Sequence, residues 1–300
     1  MIATSLKKAA FGKLDMRKYA KVSDFAAKGS MPIRHFSFKF DAKELDPNFY
    51  MQKEWASAYF AALSIFLTYG EELVIDTARY HRDLIKDPIL KQRITALIGQ
   101  EALHSKVHNE YNDAMIPRNY PVQLYRFLAE KVFEYSFLKF PQPLKLSMMA
   151  GIEHFTAVLA EYMMKHEDHF YQSDDAKTRG LWMWHMLEES EHKDVAYDVY
   201  QILSGNYALR ISGFALALLT IMGGVSAGAL LLPFLQNPKN IISLSFWKEA
   251  KTSASLLFGP KDGVFGSTMG HIFDYFRPDF HPNDHDTSAY LAYYKEKLLH

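Results

Sequence analysis

The chain has 300 residues, of which 49% are hydrophobic and 15% aromatic, and its 34 basic side chains balance 34 acidic ones. This composition can bury a large core, which excludes global disorder, and the balanced charge excludes a general attraction to nucleic acid. The chain has no cysteine, which excludes disulfides, thiolate metal ligands and cysteine nucleophiles and agrees with a reducing compartment. We therefore predict a cytoplasmic protein whose metal sites use His, Asp and Glu.

Residues 1–40 form the first predicted segment, a basic N-terminal arm. Seven basic and two acidic side chains precede residue 30. Charges also stand where a secretory signal needs an apolar stretch, so export by that route is not expected. We interpret the arm as a solvated tail, with a contact to a membrane surface or a partner as the alternative.

Residues 41–207 are predicted to form a helical bundle. Helical spacing fills residues 48–115 and is interrupted at 86–88, where Pro88 fits the start of a second helix. Further helices are predicted at about 122–139, 144–171 and 178–203, separated by proline-rich or polar stretches. No useful length of strand periodicity occurs between them, so the predicted fold class is all-α.

Two of these predicted helices each carry a Glu-x-x-His pair, Glu101 with His104 and Glu189 with His192. Residues three apart lie on one helix face, so both side chains of a pair can bind one ion. In carboxylate-bridged dimetal bundles, two helices each provide such a pair and two others each provide a single glutamate. The pattern therefore predicts a ferritin-like bundle around a dimetal centre.

The two single glutamates are predicted to be Glu153 and either Glu71 or Glu72. Four carboxylates suit such a centre because two divalent ions less than ~4 Å apart repel strongly, and bridging anionic oxygens offset this charge. Histidine ligands favour iron or manganese over calcium or magnesium. We predict two iron ions as the cofactor, with manganese or zinc as alternatives.

Several further polar residues lie near these motifs. His185 precedes Glu189 by four residues and is predicted to be a seventh ligand, because positions i and i+4 share a helix face. Glu188 and Glu191 are interpreted as polar neighbours, and His154 as a packed or surface histidine. The residues predicted to orient ligands through hydrogen bonds are Glu72, His108, Asp194 and Asp198, with a solvated or capping role as the alternative for the two aspartates.

Residues 208–238 form an apolar segment, and no charged side chain occurs from 211 to 238. This length would let one helix cross a hydrocarbon core of ~30 Å. Gly224 and Gly228 also permit a hairpin or a close contact between helices. The alternatives are a membrane span or membrane-dipping hairpin, peripheral or integral at the inner membrane, and a buried apolar element that covers the bundle.

Residues 239–300 are aromatic, charged and broken by proline, and they are predicted to be an irregular tail that packs on the bundle. We interpret this segment as a structural anchor. The alternative is a lid over one end of the bundle, with His281, Asp284 or His285 near the substrate.

Four stretches in order carry a resemblance to a known family. They are GEELVIDTARYHRDLIKDPILKQRITALIGQEALHSKVHNEYN from residue 70, GIEHFTAVLAE from 151, WHMLEESEHKDVAYDVY from 184 and YFRPDFHPND from 275. The chain resembles the bacterial family catalogued as predicted metal-dependent hydrolases. Its GE pattern favours Glu71 over Glu72 as the ligand. The arrangement of His185, Glu189 and His192 is also similar to that of the di-iron arylamine N-oxygenases.

The resemblance and the ligand pattern imply different reactions. The ligand pattern predicts a di-iron oxygenase or oxidase that uses O2 as co-substrate on an apolar or lipid-like substrate and takes electrons from an external donor. The family name predicts a hydrolase that uses a metal-bound hydroxide. A third alternative is an iron-handling protein without catalysis. No nucleic-acid partner is expected, and a homo-oligomer is compatible with the sequence.

Overall fold

A computed structural model describes residues 20–22, 31–118, 120–135, 137–168 and 175–299. Most of the predicted basic arm lies outside these residues. Helices dominate the described chain, as predicted. In order they are α1 (Glu54–Arg82), α2 (Pro88–Met115), α3 (Val122–Tyr135), α4 (Gln142–Lys165), α5 (Ala176–His192), α6 (Val195–Leu203), α7 (Tyr207–Gln236), α8 (Leu244–Phe258), α9 (Met269–Asp274) and α10 (Ser288–Leu299). The strands β1 (Ala20–Val22) and β2 (Arg34–Phe36) pair antiparallel, with Lys21 opposite His35.

Local signals in the sequence explain where several helices begin. The Asp87 carboxylate accepts a hydrogen bond of 2.8 Å from the backbone N–H of Ile89 and another of 2.8 Å from that of Leu90. Pro88 occupies the first helical position of α2, where proline costs no hydrogen bond. Asp175 caps α5 in the same way. These caps fix the starting points of two helices that carry Glu-x-x-His pairs.

Two predicted helices differ from the observed ones. The helix expected over 178–203 is divided into α5 and α6, and at the break Asp194 bonds to Arg93 of α2 at 2.6 Å. The helix expected to reach residue 171 ends at Lys165, because His166 has left the helical region with φ −125° and ψ 47°. The intervening residues 169–174 lie outside the described chain.

The core of the bundle consists of α1, α2, α4 and α5, which pack side by side around a shared interior. Their apolar side chains form one continuous cluster that includes Trp182 and Trp184, both 0% exposed. Apolar burial at this scale is the main source of stability. The same packing places the inward faces of four helices, including both Glu-x-x-His pairs, around one central volume.

The apolar segment forms a single continuous helix, α7, which lies across the outside of α1 and α4. A side chain at Gly151 would approach the Phe214 backbone to 2.8 Å, and one at Gly228 would approach Ala62 to 2.6 Å. These glycines therefore permit close helix contacts. In the part of the chain that the structure describes, two helices are long and apolar enough to cross a membrane by length and composition, α1 with 83% of its apolar window buried and α7 with 28%.

The C-terminal segment packs against α4, α5 and α6. The buried Arg210 of α7 donates hydrogen bonds to the backbone oxygens of Tyr275 and Arg277. Tyr294 of α10 donates to the Met164 backbone oxygen at 2.8 Å. These contacts tie the segment to the bundle.

Candidate metal centre

Seven side chains from the four core helices point into the centre of the bundle. Each is no more than 4% exposed to solvent, although all are polar or charged. They are Glu71 of α1, Glu101 and His104 of α2, Glu153 of α4, and His185, Glu189 and His192 of α5. The structure thus brings together all seven residues that the sequence predicts as metal ligands.

The nitrogen and oxygen atoms of these side chains converge. His192 Nδ1 lies 2.8 Å from Glu101 Oε1 and 3.3 Å from Glu153 Oε2. On the other side, His185 Nε2 lies 3.0 Å from Glu189 Oε1, which is 3.5 Å from His104 Nδ1. These short separations between potential ligand atoms are what a shared cation requires.

The donor atoms fall into overlapping groups in which all atoms lie within 4.8 Å of one another. Glu101 belongs to the group with Glu71 and His104 and also to the group with Glu153, Glu189 and His192. Glu189 also belongs to a third group, with His104 and His185. Glu101 and Glu189 therefore lie between two neighbouring positions, each of which could hold an ion.

Most of these inward atoms make no well-oriented hydrogen bond among the described residues, although several lie within ion-pair distance of one another. They are Glu71 Oε1 and Oε2, Glu101 Oε1, His104 Nδ1, Glu153 Oε2, His185 Nε2 and His192 Nδ1. Leaving a buried polar atom unpaired costs roughly 1–3 kcal/mol, and more when the group is charged. Other buried atoms without a hydrogen bond are scattered over the described chain, but these seven converge in one cluster and are all good metal ligands, so they fit a bound metal centre.

The pKa values of the clustered side chains also fit a bound metal centre. Burial and the nearby Glu101 carboxylate raise the pKa of Glu153 to about 8 and that of Glu71 well above its usual range. Burial lowers the pKa of His192, but the carboxylates of Glu101 and Glu153 raise it well above its usual value. Several carboxylates thus compete for too little positive charge, which divalent cations would supply.

A hydrogen-bond chain behind the cluster links two of the histidines. His104 Nε2 lies 2.9 Å from Glu188, and His192 Nε2 lies 2.8 Å from Gln100 Oε1. The buried Arg34 bonds to Glu188 at 2.9 Å and to Glu191 at 2.8 and 2.9 Å, and Gln100 donates to Glu191 at 3.1 Å. These hydrogen bonds use Nε2 of both histidines, so Nδ1 of each faces the cluster.

The third histidine has separate support. His185 Nδ1 lies 2.7 Å from His108 Nε2, and His108 Nδ1 lies 2.8 Å from Ser64 Oγ. The Ser64 hydroxyl donates to Asn112 Oδ1 at 2.9 Å. Burial and the neighbouring His185 lower the pKa of His108 well below its usual value, so His108 is neutral. This arrangement leaves Nε2 of His185 for the cluster.

Three of the four residues predicted to orient ligands lie away from the cluster. Glu72 is exposed on the outer side of α1, because adjacent helix positions differ by about 100° in direction. Asp194 bonds to Arg93, and Asp198 bonds to His281 Nε2 at 3.1 Å. Of the four residues predicted to orient ligands, only His108 bonds to a residue of the cluster among the described contacts.

Sequence reasoning missed the side chains that support the histidines from behind. Glu188 and Glu191 are buried hydrogen-bonding residues rather than solvated neighbours. Arg34 was not singled out, although an arginine between apolar residues in MPIRHFSF was a usable signal. Its partner Glu188 lies 154 positions away, so the pairing itself is not readable from the sequence.

A cavity of about 20 Å³ adjoins the cluster. This is room for about one water molecule. Four glutamates of the cluster line one side of the cavity. The other lining residues are apolar, small or hydroxylic: Leu63, Phe66, Leu67, Gly70, Val74, Ile152, Thr156 and Ile221. The carboxylate side of the cluster therefore faces an apolar space.

A family model described as a predicted metal-dependent hydrolase matches residues 32–286, which include every residue of the cluster. The chain belongs to this family. Comparisons with curated proteins and with solved structures gave no match. The resemblance inferred from the sequence motifs is thereby confirmed at the level of the family, and the acidic and histidine groups are consistent with a divalent metal.

Proposed function

We propose that this chain is a dinuclear metal enzyme of the ferritin-like type. The observation that carries the proposal is the convergence of buried, unpaired donor atoms from four helices. Glu101 and Glu189 would each be available to hold either of two ions, because each belongs to two donor groups. The remaining ligands would be Glu71, His104 and His185 for one ion and Glu153 and His192 for the other.

The family description supports hydrolysis as the reaction, and we propose esters or amides as the substrates to test. Two divalent ions in such a site supply Lewis acidity and lower the pKa of water, and iron adds redox chemistry with O2. The protein's own part is to hold seven ligands rigidly and to exclude bulk water. The hydrogen bonds to His104, His185 and His192 hold these ligands in place. The apolar wall of the cavity excludes bulk water.

The cavity favours a second candidate, O2-dependent oxidation at a di-iron centre. Apart from the four carboxylates, Thr156 supplies the one polar side chain in the described lining. A hydrolase needs groups that hold a polar ester or amide and its leaving group, whereas an apolar wall suits O2 and a hydrocarbon. This reaction would need electrons from an external donor. In both cases we infer a small apolar substrate.

Metal content tests the centre itself. Protein stripped by chelation and reloaded with Fe(II), Mn(II) or Zn(II) should bind two ions at the centre, as measured by mass spectrometry. His192→Ala and Glu189→Gln should each bind less metal, because each removes a ligand. Glu110→Gln, which changes an exposed carboxylate of α2, should keep full occupancy. Full occupancy in the His192→Ala variant would refute the site.

Turnover assays distinguish hydrolysis, O2-dependent oxidation and iron handling without catalysis. Cleavage of aryl esters by the zinc or manganese form would support hydrolysis. Consumption of O2 that requires both iron and an apolar acid, lipid or amine would support oxidation. Iron uptake without turnover of either kind would support the iron-handling alternative.

We also propose that the outer face of α7 contacts a membrane surface. Leu219 is 73% exposed, and beyond the end of α7 Ile242 is 87% exposed beside the half-exposed Trp247. Exposed apolar side chains with a tryptophan and nearby lysines suit a lipid interface. Leu219→Asp on α7 should weaken co-sedimentation with anionic lipid vesicles, whereas Ile202→Asp, an exposed position on α6, should not. Equal binding by both variants would refute this contact.

A further inference from the structure

The C-terminal segment brings two histidines against a glutamate of α4, outside the dinuclear cluster. Glu161 lies on α4, His271 on α9, and His285 follows the short helix Pro282–Asp284. One potential ligand atom from each lies within 4.8 Å of the others. Glu161 stands two helical turns beyond Glu153 along α4, which corresponds to a rise of ~12 Å. The group is therefore a separate place in the fold.

The distances suit a small, tetrahedrally bound ion. His271 Nδ1 lies 3.3 Å from Glu161 Oε2. Two ligands of a tetrahedral zinc ion, each at ~2.0–2.1 Å from the metal, are themselves ~3.3 Å apart. The other carboxylate oxygen, Glu161 Oε1, pairs with Lys165. This pairing leaves Oε2 on the side of the histidine.

The second histidine has the support that metal-binding histidines usually have. His285 Nε2 lies 2.9 Å from Asp274 Oδ2. A carboxylate on one ring nitrogen fixes the tautomer and makes the other nitrogen a better ligand. No hydrogen bond to His285 Nδ1 occurs among the described residues. The rings of His271 and His285 lie 4.1 Å apart, so the two imidazoles face one small volume.

A small cavity adjoins this group. It measures about 10 Å³, and Glu161 and His285 line it together with His154 and Lys193. This volume is close to the space of one water molecule or ion. Glu161 is buried, His285 is half-buried, and His271 reaches the surface. An ion could therefore enter from solvent without unfolding the bundle.

We propose that Glu161, His271 and His285 bind a single divalent ion of the zinc type. Two histidines and one carboxylate are typical zinc ligands, whereas calcium and magnesium prefer sites built from oxygen. Three protein ligands leave a fourth position for water. The ion joins α4 to two places in the C-terminal segment, so its binding stabilises the docking of that segment. This site does not depend on the function proposed for the dinuclear cluster.

Zinc binding to full-length protein tests the site. After dialysis against excess zinc, the His192→Ala variant, weakened at the dinuclear cluster, should hold one zinc ion more than the His192→Ala/His271→Ala double variant. Adding His271→Ala should remove this ion, because a ligand is lost. Adding His281→Ala instead should not, since His281 lies in the same segment but bonds to Asp198. Circular dichroism confirms folding, and the exposure of His271 makes its substitution well tolerated.

Two further measurements make the result decisive. Cobalt(II) at this site should give the visible absorption of a tetrahedral ion, and Glu161→Gln should abolish it. Zinc should raise the melting temperature of the His192→Ala variant but not that of the His192→Ala/His271→Ala double variant. Equal zinc content with and without His271 would overturn the proposal, as would absence of bound zinc in the His192→Ala protein. Loss of metal from the dinuclear cluster alone would leave this result unchanged, so the two proposals fail independently.

Discussion

His185 Nδ1 lies 2.7 Å from His108 Nε2, and this contact determines which nitrogen of His185 faces the metal cluster. His108 in turn donates from Nδ1 to Ser64, so its Nε2 is free to accept the proton of His185. The pair belongs to two different helices, α2 and α5. Packing between helices thereby sets the tautomer of a proposed metal ligand.

The first prediction tests this contact. His108→Phe keeps the ring but removes the acceptor, so His185 loses its orientation and the affinity for metal should fall ~10–100-fold. Competition with a chelator of known affinity measures the change. His81→Phe is the matched control, because His81 bonds to the Thr77 backbone oxygen on α1. Equal affinities in the two variants would show that His108 does not orient His185.

The second prediction concerns Arg34, which is 1% exposed and neutralises two buried glutamates. Arg34→Met leaves Glu188 and Glu191 without this partner, so the free energy of unfolding should fall by ~3–5 kcal/mol. Urea denaturation at neutral pH measures the loss. The exposed neighbour His35 provides the control, and His35→Ala should change stability by less than ~0.5 kcal/mol. A loss below ~1 kcal/mol for Arg34→Met would contradict the inferred role of this network.

The third prediction uses Gly70, which lines the cavity beside the four glutamates. A Cβ atom at this position meets no other atom within 4 Å. Gly70→Ala should therefore fold normally and gain roughly 0.5–1 kcal/mol from helix propensity. Gly70→Leu adds more volume than one water molecule occupies and should close the space beside the carboxylates, so metal content stays constant while turnover falls, most of all for larger substrates.

The control for this series is Gly223 of α7, which is exposed and also has open space at its Cβ position. Gly223→Leu should leave turnover unchanged. Steady-state assays with substrates of increasing size measure the effect. A Gly70→Leu variant with unchanged selectivity would mean that the substrate does not use this cavity.

The fourth prediction concerns pH. Burial lowers the pKa of His154 from 6.5 to about 3, and its Nε2 donates to the backbone oxygens of His271 and Ile272. At acidic pH the imidazole of His154 binds a second proton more readily in the unfolded chain than in the folded one. The contribution of His154 to stability is therefore fully present above pH ~6.5 and is lost as the pH falls toward ~3. The loss at pH 5 should be ~2 kcal/mol.

His154→Gln tests this prediction, because its amide can donate to the same oxygens without titrating. Urea denaturation at pH 7.5 and pH 5 measures the free energy of unfolding of the parent protein and of the variant, both treated with chelator. The variant should lose ~2 kcal/mol less than the parent between these values. Parallel losses in both chains would show that His154 does not contribute to the acid sensitivity.

The sequence by itself determined the class of fold and the main features of the proposed site. Glu-x-x-His fixes two side chains on one helix face through local geometry, so Glu101 with His104 and Glu189 with His192 were readable from spacing alone. The starting points of α2 and α5 also follow from local rules, because capping uses atoms two or three residues away.

Only the tertiary structure decided which features of the chain meet. Glu71 rather than Glu72 faces the cluster because α1 packs with that side inward. The link from Arg34 to Glu188 spans 154 residues and depends on where β2 packs against α2. The apolar segment is one helix that lies across α1 and α4, and its glycines permit the close contact there. Such pairings depend on packing between distant segments, which the periodicity of a single helix does not encode.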